Sequence, residues 1–206
     1  MKLNKKKLLV TVIVLCFSVL AIGLVGCSKD SPMAPDNSLD NPAEVNKQIK
    51  LIPWNTSSAS FNKIRSVSEW ITKADGGALN IQISDSLSIS NNLSSSVRGN
   101  AGLTIDPGSI DADKNVTMTM DDVNLDFYFG PSGTQFAPEA RFTFWMSGLD
   151  FTNIDPATIN LFYFSPINGN WEVVPSDGVY VNYRYGYIKI KNARLPHFSR
   201  YAIGAE

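Results

Sequence analysis

An all-β fold, a mostly antiparallel β-sandwich spanning residues 49–206, is what this sequence predicts. Three observations carry that expectation. From Ile49 onward, short apolar runs alternate with polar residues at period two, the signature of half-buried strands. Glycine, asparagine, aspartate and proline clusters separate the runs and supply the positive-φ positions that tight hairpins need. Many short strands at this spacing make a sandwich or barrel.

Taken in order, Asn62 to Thr72 is the one helical candidate, because Ile64, Val67 and Ile71 fall near helical spacing, and it also fits a strand. Val116 to Met120 alternates cleanly. Val123, Leu125, Phe127 and Phe129 form one face, with Asn124, Asp126 and Tyr128 on the other. Ala140, Phe142, Phe144 and Met146 repeat the scheme. Runs at 158–164, 171–174, 179–183, 187–191 and 201–203 continue it. Gly130-Pro131-Ser132-Gly133, Asn168-Gly169-Asn170, Ser176-Asp177-Gly178 and Tyr185-Gly186 mark the turns.

The beginning of the chain obeys another logic. Lys5, Lys6 and Lys7 precede an uncharged run from Leu8 to Val25, the order of an export signal with its positive end inside. Leu24-Val25-Gly26-Cys27 resembles the lipobox of bacterial lipoproteins in all four positions. The resemblance implies cleavage before Cys27 and diacylation of its thiol, chemistry that calls for a thiolate nucleophile. Two or three acyl chains, at about 0.8 kcal/mol per buried methylene, would hold the protein firmly on a membrane. The alternative is an uncleaved membrane helix, since the run approaches the ~20 residues that span a bilayer. Both readings put the residues after Cys27 outside the cytoplasm. The expected domains are a signal peptide over 1–26, a flexible tether over 27–48 that is polar and broken by Pro32, Pro35 and Pro42, and the sandwich over 49–206. Ser28 after Cys27 is compatible, by resemblance to Gram-negative sorting rules, with transport to an outer membrane.

Composition narrows the function. Of 206 residues only two are cysteine, Cys16 in the apolar run and Cys27, so the sandwich holds no disulfide and no cysteine metal site. Removal of Lys2, Lys5, Lys6 and Lys7 with residues 1–26 takes the formal net charge from −1 to −5, against nucleic-acid binding. His197 is the single histidine, which removes histidine-pair zinc motifs.

Asp75-Gly76-Gly77-Ala78-Leu79, Leu103 to Ile110 around Pro107-Gly108, and Phe129 to Pro138 resemble the opening, middle and end of a ZU-five-like domain, a β-sandwich of ankyrins, netrin receptors and bacterial surface proteins. That resemblance covers roughly residues 70–146 and implies protein binding rather than turnover. Asp106 departs from it, standing where a proline is usual, and 84–100 is rich in serine and asparagine.

Leu195 to Gly204 resembles the last strand of such bacterial modules and also the His-Phe-Ser self-cleavage site of function-to-find domains. Carried over, Ser199 would attack the carbonyl of Phe198 with His197 as general base. The other reading makes these residues the start of a terminal strand, with Phe198 in the core. Asp111, Asp113, Asn115 and Asp122 mimic the oxygen spacing of a calcium loop, but Val116 stands where glycine makes the sharp turn and Asp122 replaces the bidentate glutamate, so a solvated turn between Ile110 and the Val116 strand is the better account of them. Tyr180, Tyr183, Tyr185 and Tyr187, with Trp171 near in sequence, are a candidate sugar platform or simply cross-strand pairs of a hairpin.

The sequence thus points to a cell-envelope lipoprotein anchored in the membrane through Cys27 and facing the periplasm or the exterior. Its sandwich is expected to be a non-catalytic binding or scaffolding module for a protein or glycan partner, with no cofactor. The two alternatives are a carbohydrate-binding module and a self-processing domain cut at Phe198-Ser199. No nucleotide loop, nucleophile elbow or carboxylate pair with a supporting motif accompanies it.

Overall fold

The computed structural model describes residues 48–53, 64–89, 93–121 and 124–206. Cys27, the run before it and most of the 27–48 segment lie outside the described residues, as does Asp122.

Twelve strands succeed one another in chain order: β1 Lys50–Leu51, β2 Ile64–Ile71, β3 Gly77–Ile89, β4 Leu93–Ile105, β5 Lys114–Asp121, β6 Asp126–Gly130, β7 Gln135–Met146, β8 Ile159–Phe164, β9 Trp171–Val173, β10 Gly178–Asn182, β11 Tyr187–His197 and β12 Arg200–Ala205. They form two sheets. Sheet 1 runs β2-β5-β6-β12-β8-β9, with β1 also on β12, and sheet 2 runs β10-β11-β7-β4-β3. Every pairing is antiparallel. The chain is an all-β sandwich, as its alternation requires: each strand has one apolar face, and two such sheets bury them against each other.

The core is the sum of those faces. Val116, Met118 and Met120 of β5 meet Phe127 and Phe129 of β6, and opposite them Ala140, Phe142, Phe144 and Met146 of β7 are fully buried. Phe127 bridges the sheets, edge-on to Phe142 at 4.9 Å and to Phe144 at 5.4 Å. Aromatic edge contacts of this kind add directional preference to area burial.

Two expectations need correction. The helical candidate over 62–72 is, in its described residues, strand β2, paired along its whole length with β5 from Ile64↔Asp121 to Ile71↔Lys114, while 62 and 63 lie outside the described residues. Arg65, Val67 and Ile71 are its more buried positions, while Ile64, which helical spacing groups with Val67 and Ile71, is exposed. Four β-branched or aromatic residues in eight favour a strand. Asp126, placed with the solvent-facing residues, does lie on the outer face with Tyr128 but is only 1 % exposed. On its other side in the chain, Leu125 is buried in a turn at φ 54° rather than in a strand.

Glycine is required at two turns, of which the sequence signals the one at Gly186. A Cβ on Gly76, at φ 67°, would stand 2.2 Å from the Ile105 carbonyl oxygen. One on Gly186, at φ 55°, would stand 2.4 Å from that of Leu149. Both exclude any side chain on steric grounds. β11 runs past the expected 187–191 to His197 because Asn192, at φ 48°, absorbs an irregularity in its pairing with β7 and lets the strand continue.

Candidate ligand face and the sequence-derived sites

The outward side of sheet 2 is built by strand parity. Register places Asn100 of β4, Trp145 of β7 and Lys189 of β11 side by side, with Tyr180 of β10 next to Lys189. Gln82 of β3 pairs with Asn100 at the other end of this row. Because their neighbours along each strand, such as Ala101, Phe144 and Ile188, point into the core, these residues are held on rigid strands rather than a loop.

Aromatic rings give this face its shape. Trp145 is half-buried and stacks on Tyr187 at 6.2 Å and 29°, and Tyr187 meets the exposed Tyr180 at 6.1 Å and 63°. Burial among these rings, then the neighbouring Tyr180, raises the Tyr187 hydroxyl above its ordinary range. Beside the indole lies an open hollow of about 270 Å³, lined by Gln82, Ser84, Arg98, Asn100 and Trp145. Gly102, further along β4, adds no side chain there.

The polar groups are of two kinds. Asn100 and Asn80 pair their amides, Nδ2 of Asn100 donating to Oδ1 of Asn80 at 2.8 Å. Arg98 and Lys189 are exposed, and among the described residues neither side chain joins a hydrogen bond or salt bridge. Further along, Arg141 is answered by Asp106, Nη2 donating to Oδ1 at 2.7 Å and Nη1 to Oδ2, and Arg194 lies 3.6 Å from Asp177.

The tyrosine reading is thereby divided. Tyr180 and Tyr187 belong to this face. Tyr183 and Tyr185 sit in the helical turn Tyr183–Tyr185 that closes the hairpin, Tyr183 against Phe151 and Tyr185 beneath the Arg184 guanidinium. Trp171 lies in the other sheet, against Phe164 and Arg200. Trp145 went unmarked because, in sequence, it is only the solvent-side residue between Phe144 and Met146. Its partner Tyr187 is more than forty positions away.

His197 ends β11, and Phe198 and Ser199 form the connection to β12. The Tyr201 hydroxyl donates to the His197 carbonyl at 2.6 Å, and burial drives that hydroxyl far above its ordinary range. The Phe198 amide donates to the Thr134 carbonyl at 2.9 Å, and the Phe129 amide to the Ser199 carbonyl at 3.2 Å. The Phe198 ring is buried, stacked on Phe129 at 5.7 Å and edge-on to Phe136 at 4.7 Å. The imidazole of His197 packs edge-on to Tyr163 at 4.7 Å, and no hydrogen bond joins it to Ser199 among the described residues. The geometry matches a tyrosine-pinned corner between sheets.

The calcium-like oxygens of Asp111, Asp113 and Asn115 each have a protein partner. Asp111 binds the Lys114 ammonium at 2.5 Å, which holds its carboxyl below the usual range. Asp113 accepts from the Lys73 amide at 2.7 Å, and Asn115 from the Ser68 hydroxyl at 2.8 Å. Among the described residues no group of three or more acidic, histidine or cysteine side chains is placed to hold a metal ion. Nor is any helix there long and apolar enough to cross a membrane. No protein-family model, curated protein or solved structure matches this chain.

Proposed function

We propose that the chain is a lipid-anchored protein of the cell envelope whose sandwich, read as ZU-five-like, serves as a non-catalytic binding module displayed outside the cytoplasm. The observation that carries the binding half is the outer face of sheet 2. A half-buried indole there is flanked by two cations without partners among the described residues, all on rigid strands. The anchoring half rests on Lys5-Lys6-Lys7, the apolar run and Leu24-Val25-Gly26-Cys27.

The test is metabolic labelling of the intact chain with radioactive palmitate. Label is expected in the membrane fraction and absent from Cys27→Ser. Label-free protein in the cytosolic extract would overturn the reading. The mass of the same protein under denaturing conditions separates the self-processing alternative: loss of Ser199–Glu206 would favour it.

A further inference from the structure

We propose that the outer face of sheet 2 binds an acidic polysaccharide, a linear chain of uronate sugars, with Trp145 as the stacking platform and Arg98 and Lys189 as the partners of its carboxylates. The inference rests on the binding-module reading and names the ligand of the same face.

Ring shape comes first. A flat indole kept half-exposed by Tyr187 behind it offers a π-face to the C–H side of a pyranose, a contact that needs no cavity, only a level platform. The hollow beside it is open rather than enclosed, and its lining of Gln82, Ser84 and Asn100 presents amide and hydroxyl groups. These both donate and accept, as sugar hydroxyls do. An apolar protein partner would bury such groups without hydrogen bonds, which is unfavourable.

Charge then decides the class of sugar. The mature chain is acidic overall, yet the two cations flanking Trp145 lack a carboxylate among the described residues, whereas Arg141 and Arg194 on the same face have Asp106 and Asp177. Carboxylates brought by the ligand complete that pattern, and a guanidinium can take one of them through two parallel hydrogen bonds. β4 and β11, which carry Arg98 and Lys189, are the two neighbours of β7, about 10 Å apart at two strand spacings. A chain with carboxylates on separate sugars can meet both at once while its rings lie across Trp145. Two isolated cations are too few for nucleic acid, whose affinity comes from neutralising many phosphates at once.

The experiment uses the intact chain in detergent, titrated calorimetrically with oligogalacturonate and oligomannuronate, and with neutral cello-oligosaccharides as the contrast. Heat with a uronate oligomer, weakening steeply with salt, is the expected result. Trp145→Ala should weaken binding at least tenfold. Arg98→Gln with Lys189→Gln, both at exposed positions that leave the fold intact, should reduce uronate binding at least tenfold and flatten its salt dependence. Failure of both uronates to bind, equal binding of neutral sugars, or binding indifferent to these substitutions would each overturn the proposal. So would self-association through this face that Trp145→Ala abolishes. Palmitate incorporation without uronate binding would sink the ligand and leave the anchored module standing. Uronate binding without palmitate would do the reverse.

Discussion

The outer faces of the two sheets use the same ingredients, an arginine and a tryptophan with tyrosine nearby, to opposite ends. On sheet 1 the Arg200 guanidinium lies 5.3 Å from the Trp171 ring and 5.8 Å from the Tyr128 ring, and its Nη2 donates to Asp126 at 2.6 Å. The Tyr128 hydroxyl donates to the same carboxylate oxygen at 3.3 Å, and burial first, then the Asp126 charge, raises it above its ordinary range. Ala202 stands in register between Asp126 and Phe162, and all three are buried. On sheet 2 the arginine beside the tryptophan has no such carboxylate among the described residues. Residue type therefore does not separate a structural cluster from a contact surface. What separates them is whether the fold itself supplies the counter-charge.

The largest effect that tests this contrast is on sheet 1. Arg200→Ala leaves the Asp126 carboxylate buried and without its cation, and breaking a buried pair from one side costs about 3–5 kcal/mol. Because the Arg200 side chain is 42 % exposed while that of Asp126 is 2 %, the lower end applies, about 3 kcal/mol. At about 2–4 °C per kcal/mol for a domain of this size, the melting temperature should fall by roughly 6–12 °C. Arg200→Lys should lie between, keeping the charge but losing the planar group that stacks on both rings. A melting temperature unchanged in Arg200→Ala would mean that the cluster is not structural, and the contrast between faces would disappear.

Much of this fold is legible in the order of residues alone. The alternation Ala140-Phe142-Phe144-Met146 is a period-two pattern that can be satisfied only by a strand with one buried face, and the structure buries all four. Gly186 stands out as a turn residue, and it is held there by steric need. β2 is ambiguous because Ile64, Val67 and Ile71 fit helical spacing as well as strand parity over so short a run. Pairing with β5, some fifty residues later, decides it. The candidate face is invisible in sequence for a related reason. Arg98, Trp145 and Lys189 come from three strands whose adjacency depends on sheet order, and no local pattern encodes sheet order. The tyrosine cluster that local reading does find is split by the turn at Tyr183–Tyr185.

A smaller effect concerns Arg141, which would be a further open cation on sheet 2 but for Asp106. The two hydrogen bonds from Arg141 hold the Asp106 carboxyl below its ordinary range. A carboxylate with a lowered folded-state value stabilises the fold above its unfolded value, about 3.9, and that contribution is lost as pH falls through the lowered folded value. Asp106→Asn should therefore melt slightly below the parent at neutral pH, with the gap closing as acid protonates the parent's carboxyl. A gap that widens in acid would contradict the assignment. The same variant frees Arg141, so on the uronate reading it should bind the oligomers more tightly.

The smallest expected effect is the one that sharpens the contrast most. Arg98→Gln with Lys189→Gln removes two exposed charges whose side chains have no hydrogen bond or ion pair among the described residues. Surface changes of that kind stay within about 0.5 kcal/mol each, about 1 kcal/mol for the pair, so the melting temperature should move by no more than about 4 °C. Loss of more than that would show that the fold does answer these cations after all, making them counterparts of Arg200. Stability unaffected by removing charges that stand beside an indole, against a loss of about 3 kcal/mol at Arg200, would show that the fold requires the one arginine and not the other, and the uronate titration then decides whether a ligand answers Arg98 and Lys189.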